Sequence, residues 1–137
     1  MNRKHTLGLG LALAFALSTG WTSTNAQQPA PTETKGVTVK PVQAVDLGPE
    51  IEGMAGRQLR MRTVTLDPGA VFAVHNHKDR PGTVYVLQGK VTEHRGDAVK
   101  EYGPGDSWFE NKETTHWLEN KGSTPAVILP VDIFKQQ

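Results

Sequence analysis

Gly69-Ala-Val-Phe-Ala-Val-His75-Asn-His77 is a short apolar run that opens on a glycine and ends in two histidines one residue apart. Side chains alternate faces along a β-strand, so His75 and His77 point the same way and can grip one ion from one side. Further along the chain stand Pro104-Gly105-Asp106, then His116 and Asn120. A distant strand must bring His116 to the pair. Three neutral imidazoles with open positions suit a divalent transition metal that keeps water, oxygen or a substrate as its remaining ligand.

The stretches on either side have strand and turn chemistry. Asp67-Pro68-Gly69 reads as a turn, because Pro sets φ for its first central position and Gly accepts a positive φ after it. Before it, Leu59, Met61, Thr63 and Thr65 share one face of a predicted strand, and Gln58, Arg60 and Arg62 share the other, wetter one. Val37, Val39, Val42 and Val45 suggest an edge strand interrupted by Pro41, which cannot donate to a ladder. After the polar loop Lys78–Gly82, Thr83–Leu87 reads as a buried strand, with hairpins and reversals at Gln88-Gly89-Lys90, Gly96-Asp97 and Gly103–Asp106. Ala126–Phe134 closes the domain as a long apolar strand. Some eight short strands with Gly and Pro turns and no amphipathic helix predict an all-β antiparallel sandwich or barrel.

Length and composition bound the function. The 137 residues make room for one domain, and the absence of cysteine excludes disulfides, thiolate metal sites and cysteine nucleophiles. Residues 1–26 have the layout of a secretory signal: Arg3 and Lys4, an apolar run from Leu7 to Leu17, and a small polar stretch ending at Ala26. That run is about half the roughly 20 residues a spanning helix needs, so cleavage and a periplasmic or secreted location are expected, with no membrane attachment afterwards. Losing Arg3 and Lys4 with no acidic residue turns the net charge of +1 into −1. No basic cluster then survives to neutralise a phosphate backbone, and nucleic-acid binding has no electrostatic support. Residues 27–35 read as a flexible polar leader, with the domain at 36–137. There is no phosphate-binding glycine loop, nucleophile elbow or helix-turn-helix.

Taken together, these landmarks resemble the cupin superfamily over roughly residues 58–134, and the resemblance implies an antiparallel double-sheet jelly roll with a metal in the barrel mouth. Gly69, His75, His77 and Gly89 match the first cupin motif; Pro104-Gly105-Asp106, His116 and Asn120 match the second. Gly82 stands where the family usually has a metal-binding Glu, and Asn111 and Glu113 where a Pro and a Gly are common. Variants without that Glu occur among thiol dioxygenases and a diketone-cleaving dioxygenase. The resemblance therefore implies a three-histidine set of His75, His77 and His116 holding a divalent transition metal ion, Fe(II) foremost, with Zn, Mn, Ni and Cu open. It also implies a small-molecule substrate or ligand, and a homodimer is common in similar proteins.

Glu93 and Glu110 are the candidates for a replacement carboxylate, each weighed against a solvent-exposed or Arg-paired side chain. His94 is read as a surface residue and Asn120 as a structural bridge between turns. Most of Phe72, Tyr85, Trp108, Phe109 and Trp117 are expected in the core, with the Tyr85 hydroxyl available to orient a substrate. The leading function is a metal-dependent, dioxygenase-like oxidoreductase. A non-catalytic small-molecule or metal-binding module and a metal-assisted isomerase or lyase are the alternatives.

Overall fold

The fold was analysed in a computed structural model, which describes residues 28–135; the expected signal at 1–26 lies outside the described residues. Eight strands account for the regular structure: β1 Lys35–Asp46, β2 Arg57–Asn76, β3 Gly82–Gln88, β4 Val91–Arg95, β5 Ala98–Tyr102, β6 Ser107–Glu110, β7 Thr115–Glu119 and β8 Ala126–Lys135. All pair antiparallel, in the order β5-β4-β7-β2-β8-β3-β6 with β1 also on β2. The path curls into a nearly closed barrel whose ends, β5 and β6, remain unpaired with each other among the described residues.

β2 changes neighbour along its length. Its first half pairs with β8 as far as Leu66↔Ala126, and its second half pairs with β7 from Val71↔Glu119 onward. The change of neighbour occurs at Asp67-Pro68-Gly69, where Gly69 has φ 76°. The expected turn is therefore a corner within one strand, because β1 stays paired on both sides of it, at Val37↔Leu66 and Lys35↔Val71. Buried Asn120 clamps this corner: its amide donates to the carbonyls of Leu66 (2.9 Å) and Thr124 (2.8 Å), and its side-chain oxygen accepts from the Gly122 backbone (2.9 Å). A structural role for Asn120 is what the sequence suggested.

The wetter face of β2 is the inner one. Val64 and Leu66 are buried, and Arg60 and Arg62 alternate in phase with them, so the wetter face lines the barrel interior. Leu59, 40% exposed, lies on the outer face. The core fills in around Val64, Leu66, Val84, Val86, Val91, Leu118 and Ile128, with the tilted rings of Tyr102 and Trp108 in contact alongside. β1 is an edge strand, and its register shifts between Pro41 and Gln43, where proline leaves the ladder one donor short.

The segment expected to be a flexible leader is tethered near its end. The Pro31 carbonyl accepts from the Val74 backbone (2.8 Å), and the Thr34 hydroxyl oxygen accepts from the Ala73 backbone (3.0 Å). β1 pairing on β2 ends at Lys35↔Val71, and these two contacts hold the residues before β1 against β2 beyond that point.

Candidate metal centre

The change of neighbour at the corner sets His75 opposite His116, since the second half of β2 and β7 pair at His75↔His116. Alternation then carries His77, just past the end of β2, to the same side. The three Nε2 atoms converge: His116 Nε2 lies 3.0 Å from His77 Nε2 and 3.1 Å from His75 Nε2. His77 and His116 are buried while His75 is half-buried, so the centre opens toward solvent past His75.

Each Nδ1 atom faces an acceptor. That of His75 meets the Ala73 carbonyl at 2.9 Å, that of His77 the Arg80 carbonyl at 3.3 Å and Glu110 Oε2 at 3.1 Å, and that of His116 Glu93 Oε1 at 2.6 Å. An acceptor at Nδ1 holds the proton of a neutral ring there, which turns the lone pair of Nε2 toward the other rings. Three lone pairs thus point into one small space. A cation in that space converts mutual repulsion into coordination, and the three histidines offer ligand atoms within 4.8 Å of one another. Hydrogen bonding through the other ring nitrogen is the usual way a metal-binding histidine is oriented.

Burial keeps the pair on β2 uncharged. It pushes the His75 imidazole down to about 4, with Arg80 and Arg62 adding smaller repulsions. It pushes His77 down to about 3, with the Arg80 charge next in importance. An unfolded histidine protonates near 6.5, so between about 6.5 and 4 the unfolded chain takes up protons that the folded chain refuses, and stability falls as pH falls. Glu110 opposes this in part, because burial raises its carboxyl and the folded chain binds that proton first. Urea titrations of metal-free protein are expected to give a midpoint that drops through this window, at a slope of roughly one to two protons. A flat midpoint from pH 7 to 4.5 would contradict the burial of these rings.

The two candidate carboxylates have different places. Glu93 stands behind His116, with Oε1 on its Nδ1 and on Arg95 (2.6 Å) and Oε2 on the Tyr102 hydroxyl (3.2 Å). Burial alone would raise its carboxyl, but hydrogen bonds from His116 and Arg95 outweigh that and hold it low. Glu93 therefore orients the His116 ring and does not face the centre. Glu110 comes nearer: Oε1 accepts from Trp108 Nε1 (3.2 Å) and lies 3.5 Å from His116 Nε2.

Gly82 has a steric explanation. It sits in a transverse row, Arg60↔Asp132↔Gly82↔Glu110, across β2, β8, β3 and β6. A Cβ there would come within 2.7 Å of the Val131 carbonyl oxygen and 2.9 Å of the Asp132 Cβ. No side chain fits without moving β8, and the carboxylates of this row stand on either side of the glycine instead. Gly82→Ala is expected to cost about 1–3 kcal/mol, as overpacking against backbone does, read as a lower melting temperature. An unchanged melt would show that β8 yields freely.

Other expectations sort by strand phase. Val84 and Val86 point inward, which sends Tyr85 out, 46% exposed, and away from any part in orienting a substrate at the centre. Phe109, 64% exposed, is also outside the core, with the Arg95 guanidinium 5.8 Å from its ring centre. His94, read as a surface residue, points away from the barrel core but is only 12% exposed, because it stacks on buried Trp117 at 3.6 Å and pairs with Glu119. The residues overlooked were Arg60, Arg62, Arg80 and Asp132. Asp132 interrupts an apolar strand, and Arg60 and Arg62 alternate in step with Val64 and Leu66; those two signals together mark a charged interior.

Residues 62–133, more than half of the chain, match the family described as Cupin domain. The chain belongs to the cupin family. The barrel resembles the protein TT1209 from Thermus thermophilus at 23% identity, TM-score 0.57, covering 74% of this chain and 85% of that one. It also resembles the polyketide cyclase RemF from Streptomyces resistomycificus at 19% identity, TM-score 0.59, covering 75% and 68% respectively. These likenesses show the cupin fold. A curated relative, mannose-1-phosphate guanylyltransferase RfbM from Salmonella typhimurium, is 29% identical over 77 residues. The match spans 56% of this cupin but 16% of that protein.

Proposed function

We propose that this cupin is exported and acts as a metal-dependent oxidoreductase of the dioxygenase type on a small organic molecule, with His75, His77 and His116 holding Fe(II) or a related ion. The convergence of three Nε2 atoms, each ring held by an acceptor at Nδ1, carries this reading. When bound, such an ion supplies Lewis acidity and, for iron, redox chemistry at positions the imidazoles leave open. The chain's own residues contribute the rest. Glu93, fixed by Arg95 and Tyr102, holds the His116 ring in its tautomer. Buried His77 and His116 close the rear of the centre to water, and half-buried His75 leaves the approach for substrate.

Glu110 favours a second, oxygen-independent reading. Burial raises its carboxyl above the usual carboxylate range, and Oε1 is close enough to the centre to give or take a proton, as an isomerase or lyase requires. The likeness to RemF, a polyketide cyclase, supports keeping it. The test is to purify the mature protein, measure its N-terminus and bound metals, and follow oxygen uptake with diketones, flavonols, thiols and phenolic acids, in air and anaerobically. Roughly one ion per chain with oxygen-dependent turnover is expected. Turnover that persists without oxygen favours the isomerase or lyase; bound metal without turnover favours a binding module; metal-free protein that resists reconstitution defeats every metal reading.

A further inference from the structure

Beside the histidines, three guanidinium groups gather on one carboxylate. Asp132, 1% exposed, accepts from Arg60 Nε at 2.7 Å and a second Arg60 nitrogen at 3.2 Å, and from Arg62 at 2.9 Å; Arg80 Nε lies 3.8 Å away. Arg60 is further committed, its guanidinium 3.8 Å over the Phe134 ring. Arg62 and Arg80 are not. The Arg62 Nε atom is buried with no hydrogen-bond partner, and the two side chains are 18% and 27% exposed, which leaves them reachable. Buried polar groups are nearly always paired, so an orphaned donor in a charged cluster calls for a missing acceptor.

The cluster adjoins the candidate centre. Arg60 and Asp132 share the row that ends at Glu110, whose Oε2 is 3.1 Å from His77, and the Arg80 carbonyl faces the same ring. Arg60, Arg62 and Arg80 share the one carboxylate of Asp132, so the guanidinium groups outnumber the carboxylate they face. Such an excess favours an anion, and a guanidinium fork matches the planar pair of oxygens on a carboxylate.

We propose that Arg62 and Arg80 bind the carboxylate of a small carboxylic acid whose other end reaches the three-histidine centre. The binding step stands on the arginine cluster; only the placement of the far end rests on the metal reading above. A carboxylate brings one negative charge next to buried Asp132, where a phosphate dianion brings two and meets more repulsion.

The test uses calorimetry and thermal melting on metal-free and metal-loaded protein, with acetate, benzoate, neutral benzamide and inorganic phosphate as probes. A carboxylate is expected to bind and raise the melting temperature in both forms while benzamide does neither. Arg62→Gln and Arg80→Gln should each weaken carboxylate binding by roughly tenfold or more, the loss of a charge-assisted bond. Circular dichroism checks that each variant folds, and Arg80→Gln, in a loop, carries the test if Arg62→Gln does not fold. Benzamide binding as well as benzoate, phosphate binding more tightly than either carboxylate, no carboxylate binding, or unchanged binding in the folded variants would each overturn the proposal. Metal uptake without carboxylate binding defeats this inference alone; carboxylate binding in a chain that takes no metal defeats the metal reading alone.

Discussion

Asp132→Ala is expected to destabilise the protein by about 3–5 kcal/mol, measured as a fall in the urea midpoint at unchanged slope. Asp132 is 1% exposed and is the shared partner of Arg60, Arg62 and Arg80. Removing it leaves three like charges facing one another in a part-buried space, and losing one member of a buried ion pair costs more than the pair contributed. Asp132→Asn should be intermediate, since the amide keeps the volume and an acceptor oxygen but no charge. In an Arg62→Gln background the Asp132→Ala loss should shrink, because the two side chains share one network. A change below about 0.5 kcal/mol, typical of a solvated surface residue, would place these arginines outside the barrel interior.

His116→Ala is expected to lower divalent-metal affinity by more than about 100-fold, beyond the 10–100-fold that loss of an outer partner usually brings. His116 Nε2 is the hub of the cluster, within 3.1 Å of both other Nε2 atoms, and the side chain is buried on a strand held in register with His75. Glu93→Gln is the matched comparison. It keeps the shape behind His116 and removes the carboxylate 2.6 Å from Nδ1, so its effect should fall within the outer-partner range. Competition with a chromophoric chelator reads both affinities. Equal and small effects in the two variants would mean that His116 is a core histidine and that the ion, if any, is held elsewhere.

Much of this architecture was legible in the chain. Period-two alternation and Gly or Pro turns announced most of the strands, and the motif landmarks around His75, His77 and His116 announced the family. Two readings went astray for a common reason. Asp67-Pro68-Gly69 has the composition of a turn in either case, and only the continuous pairing with β1 makes it a corner. Arg60 and Arg62 look solvent-facing by side-chain type; a buried partner far away in sequence, Asp132, makes an interior position affordable. Glu93 and Glu110 could not be told apart from sequence, because each has a neighbour at even spacing on a buried face. The difference lies in what the adjoining strands put beside them: His116 Nδ1, Arg95 and Tyr102 for Glu93, and His77 and Trp108 for Glu110.

By itself the sequence determined the all-β class, the three histidines and the absence of a carboxylate at position 82, since these depend on local periodicity and residue identity. Tertiary structure alone decided which face of β2 is inside, why Gly82 admits no side chain, and that three arginines meet one aspartate next to the histidines. Those facts depend on strand register and cross-barrel contact between residues far apart in the chain, and no local pattern encodes the distance between β2, β3 and β8.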